Sequence, residues 1–568
     1  MLGSPRLLLI GYLLAVGLLG IFWLPTSPQQ LWWWLPLAAL GVVGVLDLRS
    51  SHNVLRNYPI VGHLRYMMEF LRPELRQYFF ESETSGRPFN REQRQIIGAR
   101  AEGRSDTAPF GTRQDVLRQG RRQIAHAMIP TRVDPQQAWV TIGGPQCHRP
   151  YRSSRLNISA MSFGALSGRA ITALNLGARR GGFAQDTGEG AISPYHQRHG
   201  GDLIWQIASG YFGCRDQAGR FNPEAFSAKA REDQVKMIEI KLSQGAKPGH
   251  GGMLPGSKVD QEIAETRQVP VGEDCYSPAA HPEFSTPLEL MHFIQRLRDL
   301  SGGKPVGIKL CLGHTRDMLA MCKAMLASGI QPDFITVDGA EGGTGAGPAE
   351  YADHVGRYID EALPIVDACL KGIGKRDEIS VIASGKVALA IDMVEKFALG
   401  ADVCNAARPF MFTLGCIQAQ RCHTNTCPTG VATQDPARSR SIDVDSKADN
   451  VQRFHRATLD ACLDMIGTMG LAGPGELRPE HLLEGPATAT RVWQVDSLEV
   501  GALLDHQKAQ QLPDCWRDDW HEASPHHFLR GPGGSHQESH HRTAPGPIET
   551  AAKETAIIRQ RRCNDDRT

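Results

Sequence analysis

The chain runs to 568 residues, enough for one large domain with additions or for two to three ordinary ones. Lys plus Arg, 62, balance Asp plus Glu, 61, so no global charge draws a polyanion and nucleic acid is not an expected partner. An odd cysteine count of 13, scattered singly apart from one run, argues against a secreted disulfide framework.

Leu7 to Leu24 is an uncharged apolar run after Arg6. Leu31 to Leu46 is a second, opening on Trp32, Trp33 and Trp34, with Pro25 and residues 26–30 between them. The first run has the length of a bilayer span, and the second is marginal without tilt or thinning. Tryptophans suit a membrane–water boundary. Residues 1–50 are therefore expected to form a transmembrane helical hairpin with both ends on one side. Arg6 before it, and Arg49, His52, Arg56 and Arg65 after it, place the remainder in the cytoplasm, at the inner membrane. A secretory signal peptide is the alternative, but no small-x-small site follows Leu24 and a second apolar run does.

Residues 51–150 read as a polar helical collar containing Tyr66-Met-Met-Glu-Phe-Leu71. From about 150 short β-branched or apolar runs alternate with helical patterns. Candidate strands are Leu156–Ala160, Phe183–Thr187, Leu203–Ala208, Ile238–Leu242, Val306–Leu310, Phe334–Val337, Ile379–Ala383 and Asp402–Asn405. Pro287–Leu300, Arg316–Ser328 and Val387–Leu399 read as helices. Eight strands with intervening helices predict an α/β fold, a (β/α)8 TIM barrel over residues 151–480; a doubly wound open sheet is the alternative. Residues 481–520 read as an extension. Residues 521–568, with His521, His526, His527, His536, His540 and His541 among Gly, Pro, Ser and charge, read as a disordered tail.

In such a barrel the catalytic groups follow strand ends, and a phosphate site follows strands seven and eight. Ser159 to Ser167 leaves the first strand in small residues around Met161 and Ser162, where a flat cofactor can rest on backbone. The second strand leads to Glu189 in a Gly-flanked turn. The fourth leads to Gln244 through Gly252 and offers Lys247 to a carboxylate or an anionic flavin edge. Lys309, inside the apolar strand Val306-Gly-Ile-Lys-Leu310, must be paired or face a ligand. In a flavin barrel such a lysine faces N1 and O2 and stabilises negative charge on the reduced ring. Gly342-Gly343-Thr344-Gly345 follows the sixth strand as a ligand-facing loop. Ser384-Gly385-Lys386 and Ala406-Ala407-Arg408 follow the seventh and eighth; their small residues let N–H groups approach a phosphate, with Lys386 or Arg408 for charge. Ordinary strand–helix turns with solvated charges are the plain alternative.

Cys416, Cys422 and Cys427 share one short loop that ends in Cys-Pro. Three such thiolates read first as the ligands of an iron–sulfur cluster. A structural Cys3His zinc site with His423, or unligated thiols, remain open.

Longer motifs carry a resemblance. They are Met161-Ser-Phe-Gly-Ala-Leu-Ser167, Thr187-Gly-Glu-Gly190, Ile240-Lys-Leu-Ser-Gln-Gly-Ala-Lys-Pro-Gly249, Leu254-Pro-Gly-Ser-Lys-Val259 and Cys427-Pro-Thr-Gly-Val-Ala-Thr-Gln434. From about Asn157 to Pro436 the chain resembles the FMN-binding synthase domain of glutamate synthase. Its apolar start followed by Asn57-Tyr-Pro-Ile-Val-Gly-His-Leu-Arg65 is similar to the stand-alone, membrane-associated branch. The resemblance implies FMN against the loops named above, a [3Fe–4S] cluster on Cys416, Cys422 and Cys427, and a keto-acid pocket with Glu189, Lys247 and Arg267. It implies that ammonia and 2-oxoglutarate condense and that reduced FMN delivers hydride to the imine carbon, giving L-glutamate. Single electrons would arrive through the cluster from ferredoxin or another donor.

Two departures bear on the substrate. After Lys-Pro the family reads Gly-Glu-Gly-Gly-Gln, whereas this chain reads Gly249-His250-Gly251-Gly252-Met253. Met253 cannot donate the hydrogen bond that the glutamine gives a keto acid, so reduction of a related imine is also expected of the site. The chain begins Met1-Leu2, without an N-terminal nucleophilic cysteine or glutaminase domain. Ammonia or an amine is then expected free or from an amidotransferase partner. The alternative is a membrane-associated electron-transfer subunit without keto-acid turnover of its own.

Overall fold

The computed structural model describes residues 5–23, 31–116, 122–484 and 498–528, in two compact units that divide after Glu92. The first unit opens on helices α1 (Pro5–Trp23) and α2 (Leu31–Asp47). They pair as a hairpin: the Tyr12 hydroxyl donates to the Leu37 carbonyl at 2.7 Å and the Trp34 indole donates to the Val16 carbonyl at 3.0 Å. At ~1.5 Å per residue they reach about 28 and 26 Å. Among the described residues no helix is long and apolar enough to cross a membrane. The expected hairpin is therefore present as a hairpin, and its spanning is not shown. The Asp47 carboxylate holds the following turn, accepting from the Ile60 N–H at 2.8 Å and meeting His63 Nε2 at 2.8 Å.

Helices and a ribbon both occur between residues 51 and 154. Asn53–Asn57, Gly62–Leu75 and Arg91–Glu102 are helical, but the β-branched run near residue 140 forms a ribbon. Trp139–Ile142 pairs antiparallel with Tyr151–Ser154. This ribbon plugs one end of the second unit, a closed barrel of eight parallel strands. The strands are β1 (Leu156–Ile158), β2 (Gln185–Asp186), β3 (Leu203–Ile207), β4 (Val235–Lys241), β5 (Val306–Leu310), β6 (Phe334–Asp338), β7 (Ser380–Ser384) and β8 (Val403–Ala406). They pair in chain order, and β8 closes on β1 with Asn405 opposite Asn157. Closure excludes the open doubly wound sheet.

Around the barrel run α3 (Gly168–Gly181), α4 (Pro287–Leu300), α5 (Thr315–Ser328), α6 (Ile359–Gly372), α7 (Ala390–Ala398) and α8 (Val444–Thr468). Ser167 caps α3 by accepting from the Ala170 N–H; Thr286 and Glu289 close a capping box on α4. α8 lies against α3 at close range, because a Cβ at Gly177 would sit 2.5 Å from Val451 Cγ1.

The folded chain continues past the expected boundary at 520. Helix α9 (Asp514–Glu522) docks on α5 through Arg316–Asp519 at 3.2 Å, with Lys323 Nζ 4.8 Å over the Trp520 ring. The Leu288 N–H then donates to the Pro525 carbonyl. His521, His526 and His527 thus belong to ordered chain, while His536, His540 and His541 lie outside the described residues.

Candidate active site

Alternate residues of a barrel strand face inward. At the floor these are Ala184, Ile204, Met237, Phe334, Ile382 and Val403, packed with Ile142 and Tyr151 of the plug. Two residues further along the same strands stand Asp186, Gln206, Glu239, Thr336, Ser384 and Asn405. The interior therefore turns from apolar to polar toward the C-terminal ends of the strands. Gln206 Nε2 donates to Glu239 Oε2 and Thr336 Oγ1 donates to Glu239 Oε1, both at 2.6 Å.

Lys309 enters this layer from β5, buried, with Nζ 3.7 Å from Asp338 Oδ2. Burial works against its ammonium, but Asp338, Glu239 and Asp186 outweigh it and raise its pKa. Burial, then the Glu239 charge, push Asp186 well above the ordinary carboxyl range and favour its protonated form.

Above this layer three cations meet one carboxylate. Lys241 ends β4 with Nζ 3.3 Å from Glu189 Oε1, and donates to Gln244 Oε1 at 2.9 Å. Gln244 Nε2 donates onward to the Gly343 carbonyl at 3.2 Å. Lys247 is buried and donates to the Ala346 carbonyl at 2.9 Å. Arg267, at the end of helix Gln261–Arg267, donates through Nη2 to Ser162 Oγ at 3.2 Å and the Phe163 carbonyl at 3.0 Å. Ser277 Oγ donates to Glu189 Oε2 at 3.3 Å. Burial opposes the Glu189 charge, yet Lys241, Arg267 and Lys247 outweigh it and hold its pKa below the ordinary value. Lys247 is lowered by burial and by Lys241, with Glu189 opposing.

The turn that carries Glu189 depends on glycine. Gly188 has φ 63°, and a Cβ there would lie 2.8 Å from the Ser162 nitrogen. That contact lays the Glu189 turn on the Met161–Ser162 segment.

The cofactor loops expected after β1, β6, β7 and β8 also converge. The Ser159 N–H donates to the Ala406 carbonyl at 2.9 Å, and the Ser159 and Ser384 hydroxyls are 3.3 Å apart. Gly385 and Lys386 take φ of 137° and 48°. Arg408 Nη2 donates to the Glu341 carbonyl at 2.8 Å, with its guanidinium against Gly343. Thr344 is exposed and donates to the Ala346 carbonyl. Among the described residues Asn405 Oδ1 is buried without a partner. A buried acceptor left open is costly, and its place in the polar layer fits a polar ligand seated in the mouth.

Cys416, Cys422 and Cys427 are free thiols, and each lies within electrostatic reach of another. Burial raises Cys416 to about 12. For Cys427 burial is outweighed by N–H groups of Ala432, Thr429 and Val431 and by the Thr429 hydroxyl, which lower it. His423 is exposed. Among the described residues no three His, Cys, Asp or Glu side chains gather closely enough to hold a metal ion, so the expected metal centre is not shown. Three cysteines on one loop are the donor type an iron–sulfur group takes, but among the described residues they are not gathered as a metal site.

Sequence reasoning placed Glu189, Lys247, Arg267 and Lys309, and the mouth gathers them. It missed Lys241, Asp338 and the Asp186–Gln206–Glu239 layer. The inward period of β4 would have found two of these, since Met237, Glu239 and Lys241 alternate.

Eight parallel strands closed into a barrel, with a cationic, glycine-lined mouth, define the fold as a (β/α)8 barrel. Residues 116–472 match the conserved region in glutamate synthase. The chain is 38% identical over 491 residues to the glutamate synthase large subunit-like protein YerD of Bacillus subtilis, covering 79% of this chain and 93% of that one. It is 35% identical over 321 residues to the archaeal glutamate synthase [NADPH] of Archaeoglobus fulgidus, covering 56% of this chain and 60% of the relative. Among solved structures, a flavocytochrome b2 variant with pyruvate bound aligns at TM-score 0.40 and 12% identity, covering 84% and 93% of the two chains. The chain belongs to the glutamate synthase family, as an FMN-dependent oxidoreductase of that type.

Proposed function

We propose that this protein reductively aminates a 2-keto acid, with 2-oxoglutarate plus ammonia to L-glutamate as the reference reaction and reduction of a related imine as its variant. One observation carries the reading: among the described residues Lys241, Lys247 and Arg267 surround one carboxylate, Glu189, a formal surplus of about +2 at the mouth. A dianionic dicarboxylate matches that surplus, and paired cations fix its orientation. FMN in the mouth would supply hydride, and a [3Fe–4S] group on Cys416, Cys422 and Cys427 would supply single electrons.

The chain's own groups do the rest. Lys309 keeps a positive charge under the ligand, held by Asp338. The Met161–Ser162 segment offers backbone to a flat ring, and Arg267 braces that segment. Ser384, Gly385, Ala406 and Arg408 stand where a phosphate is expected. Glu189, kept ionised by its three cations, holds Lys241, Arg267 and Lys247 in place around the ligand.

The electron donor is proposed to be ferredoxin or another one-electron carrier. Ammonia is proposed to come free or from an amidotransferase partner. The hairpin is proposed to seat in the inner membrane with the barrel on the cytoplasmic side. Large side chains on its outside support this: Ile10, Leu14, Leu18, Ile21, Trp32 and Trp33 are all exposed. Helices of its length would need local thinning of the bilayer.

The test is turnover of 2-oxoglutarate and ammonium by the photoreduced protein, beside a panel of other keto acids and amines. Formation of an amino acid supports the proposal. Full flavin reoxidation by an electron acceptor, with no amino acid from any pair, would leave the electron-transfer subunit instead.

A further inference from the structure

Ser277 is buried at the end of a short ribbon that lies outside the eight barrel strands. Met253–Leu254 pairs antiparallel with Cys275–Tyr276. The ladder continues one step further, where the Ser277 N–H donates to the Gly252 carbonyl at 3.0 Å. The Ser277 hydroxyl completes the exchange by accepting from the Gly252 N–H at 2.7 Å. A hydroxyl has one proton to give, and this one goes to Glu189 Oε2 at 3.3 Å. Lys241 takes the other oxygen, Oε1. The two oxygens of one carboxylate are thus held by two different elements, the ribbon and the end of β4. Glycine makes the approach possible: a Cβ at Gly251 would overlap the Ser277 carbonyl, and one at Gly252 would overlap the Glu189 carboxylate.

The chain after the ribbon is pinned to the barrel. Ser209, in the loop after β3, donates to the Pro278 carbonyl. Buried His281 meets the Lys241 carbonyl through Nε2 at 2.8 Å and the Tyr211 hydroxyl through Nδ1 at 3.0 Å. A carbonyl only accepts, so Nε2 carries the proton and Nδ1 accepts from Tyr211. Burial lowers His281 to about 4, in keeping with a neutral ring. Arg267 Nη1 donates to Cys275 Sγ at 3.9 Å. Residues 275–281 therefore touch Glu189, Lys241 and Arg267, three of the four charged groups above the polar layer.

We propose that Ser277 is a positioning residue for keto-acid binding: it fixes the turn of the Glu189 carboxylate, so that Glu189 pairs with Lys241 and leaves protons of Lys247 and Arg267 to the ligand. The inference rests on the keto-acid reading above. Without the hydroxyl, Oε2 is free to turn toward Lys247 or Arg267, and a ligand carboxylate must then displace it from a charge-assisted bond.

The experiment compares the anaerobically purified full chain with Ser277→Ala and Ser277→Thr. Folding is checked by thermal unfolding, and dissociation constants for 2-oxoglutarate and pyruvate are read by calorimetry. Ser277→Ala is expected to fold and to raise Kd for the tighter of the two keto acids about 10-fold, the loss of one hydrogen bond to a charged group. Ser277→Thr keeps the hydroxyl and is expected to stay near the parent. A Ser277→Ala chain with the parental Kd overturns the proposal. So do equal losses in the two variants, which would reflect packing, and so does a Ser277→Ala chain that fails to fold, which would make the hydroxyl structural. A parent that binds neither keto acid sinks the keto-acid reading and this inference with it, whereas a parent that binds one, beside an unmoved Ser277→Ala, sinks only this inference.

Discussion

Lys241 Nζ stands 3.3 Å from Glu189 Oε1, and it does so from the last residue of a barrel strand. That contact joins the β4 end to the turn after β2 and makes Lys241 the third cation of the mouth. Removing it lowers the surplus charge from about +2 to about +1. A hydrogen bond to a charged group is worth ~1.5–3 kcal/mol, so Lys241→Met is expected to lower kcat/KM for a dicarboxylate keto acid by about 10- to 100-fold. FMN content should hold. Steady-state assays with mono- and dicarboxylates check this, and an equal loss on both would place Lys241 outside the pocket.

Glu189 supplies a pH signature. Its folded pKa is held below its ordinary 4.5, so its stabilising contribution is full above that value and is lost as pH falls through the folded value. Glu189→Gln leaves three cations facing no carboxylate, and is expected to destabilise the barrel at neutral pH by ~3–5 kcal/mol, as for a broken buried pair. Urea unfolding of parent and variant should show that difference shrinking below pH 4.5. A gap independent of pH would contradict the ionised assignment.

Lys247 supplies the alkaline limb. Burial lowers its pKa, so it loses charge earlier than an ordinary lysine as pH rises. KM for the keto acid should therefore climb on the alkaline side, and Lys247→Arg should flatten that rise, because arginine stays protonated. Identical pH profiles for KM in the two proteins would remove Lys247 from carboxylate binding.

The Met253 departure is testable by restoration. Met253 opens the short strand Met253–Leu254, directly after Gly252, whose absent Cβ lets Glu189 lie close. Met253→Gln adds a donor next to the pocket. At ~0.5–1.5 kcal/mol for one neutral hydrogen bond, kcat/KM for 2-oxoglutarate should rise about 2- to 10-fold. An unchanged value would make another imine the better candidate.

The fold was legible because parallel strands buried on both faces read as continuous runs. Val306–Leu310 coincides with its strand, and Phe334 starts β6 as expected. The start of β2 was not legible. Gly182 ends α3 at φ 70°, and the Phe183 N–H still bonds back to Ala178, so the strand begins only at Gln185. Within the region 51–150 read as a helical collar, the strand Trp139–Ile142 was not legible, because its antiparallel partner Tyr151–Ser154 lies across a turn. Within the site, Glu189 and Lys247 stood out by their glycine neighbours, and Lys309 by its apolar strand. Lys241 ends a strand and reads as an ordinary surface lysine until its partner, more than fifty residues earlier in the chain, is brought beside it. The cysteine run was legible as a donor set, while its geometry depends on loop contacts that no local pattern encodes.

The proposed function needs a flavin in the barrel mouth beside an iron–sulfur group on Cys416, Cys422 and Cys427. The most direct measurement is metal and flavin analysis with EPR of the anaerobically purified chain, repeated on Cys422→Ser. FMN and iron are expected together in the parent, and in the variant FMN retained with the iron signal lost. Zinc without iron, or iron retained in full by Cys422→Ser, would contradict it.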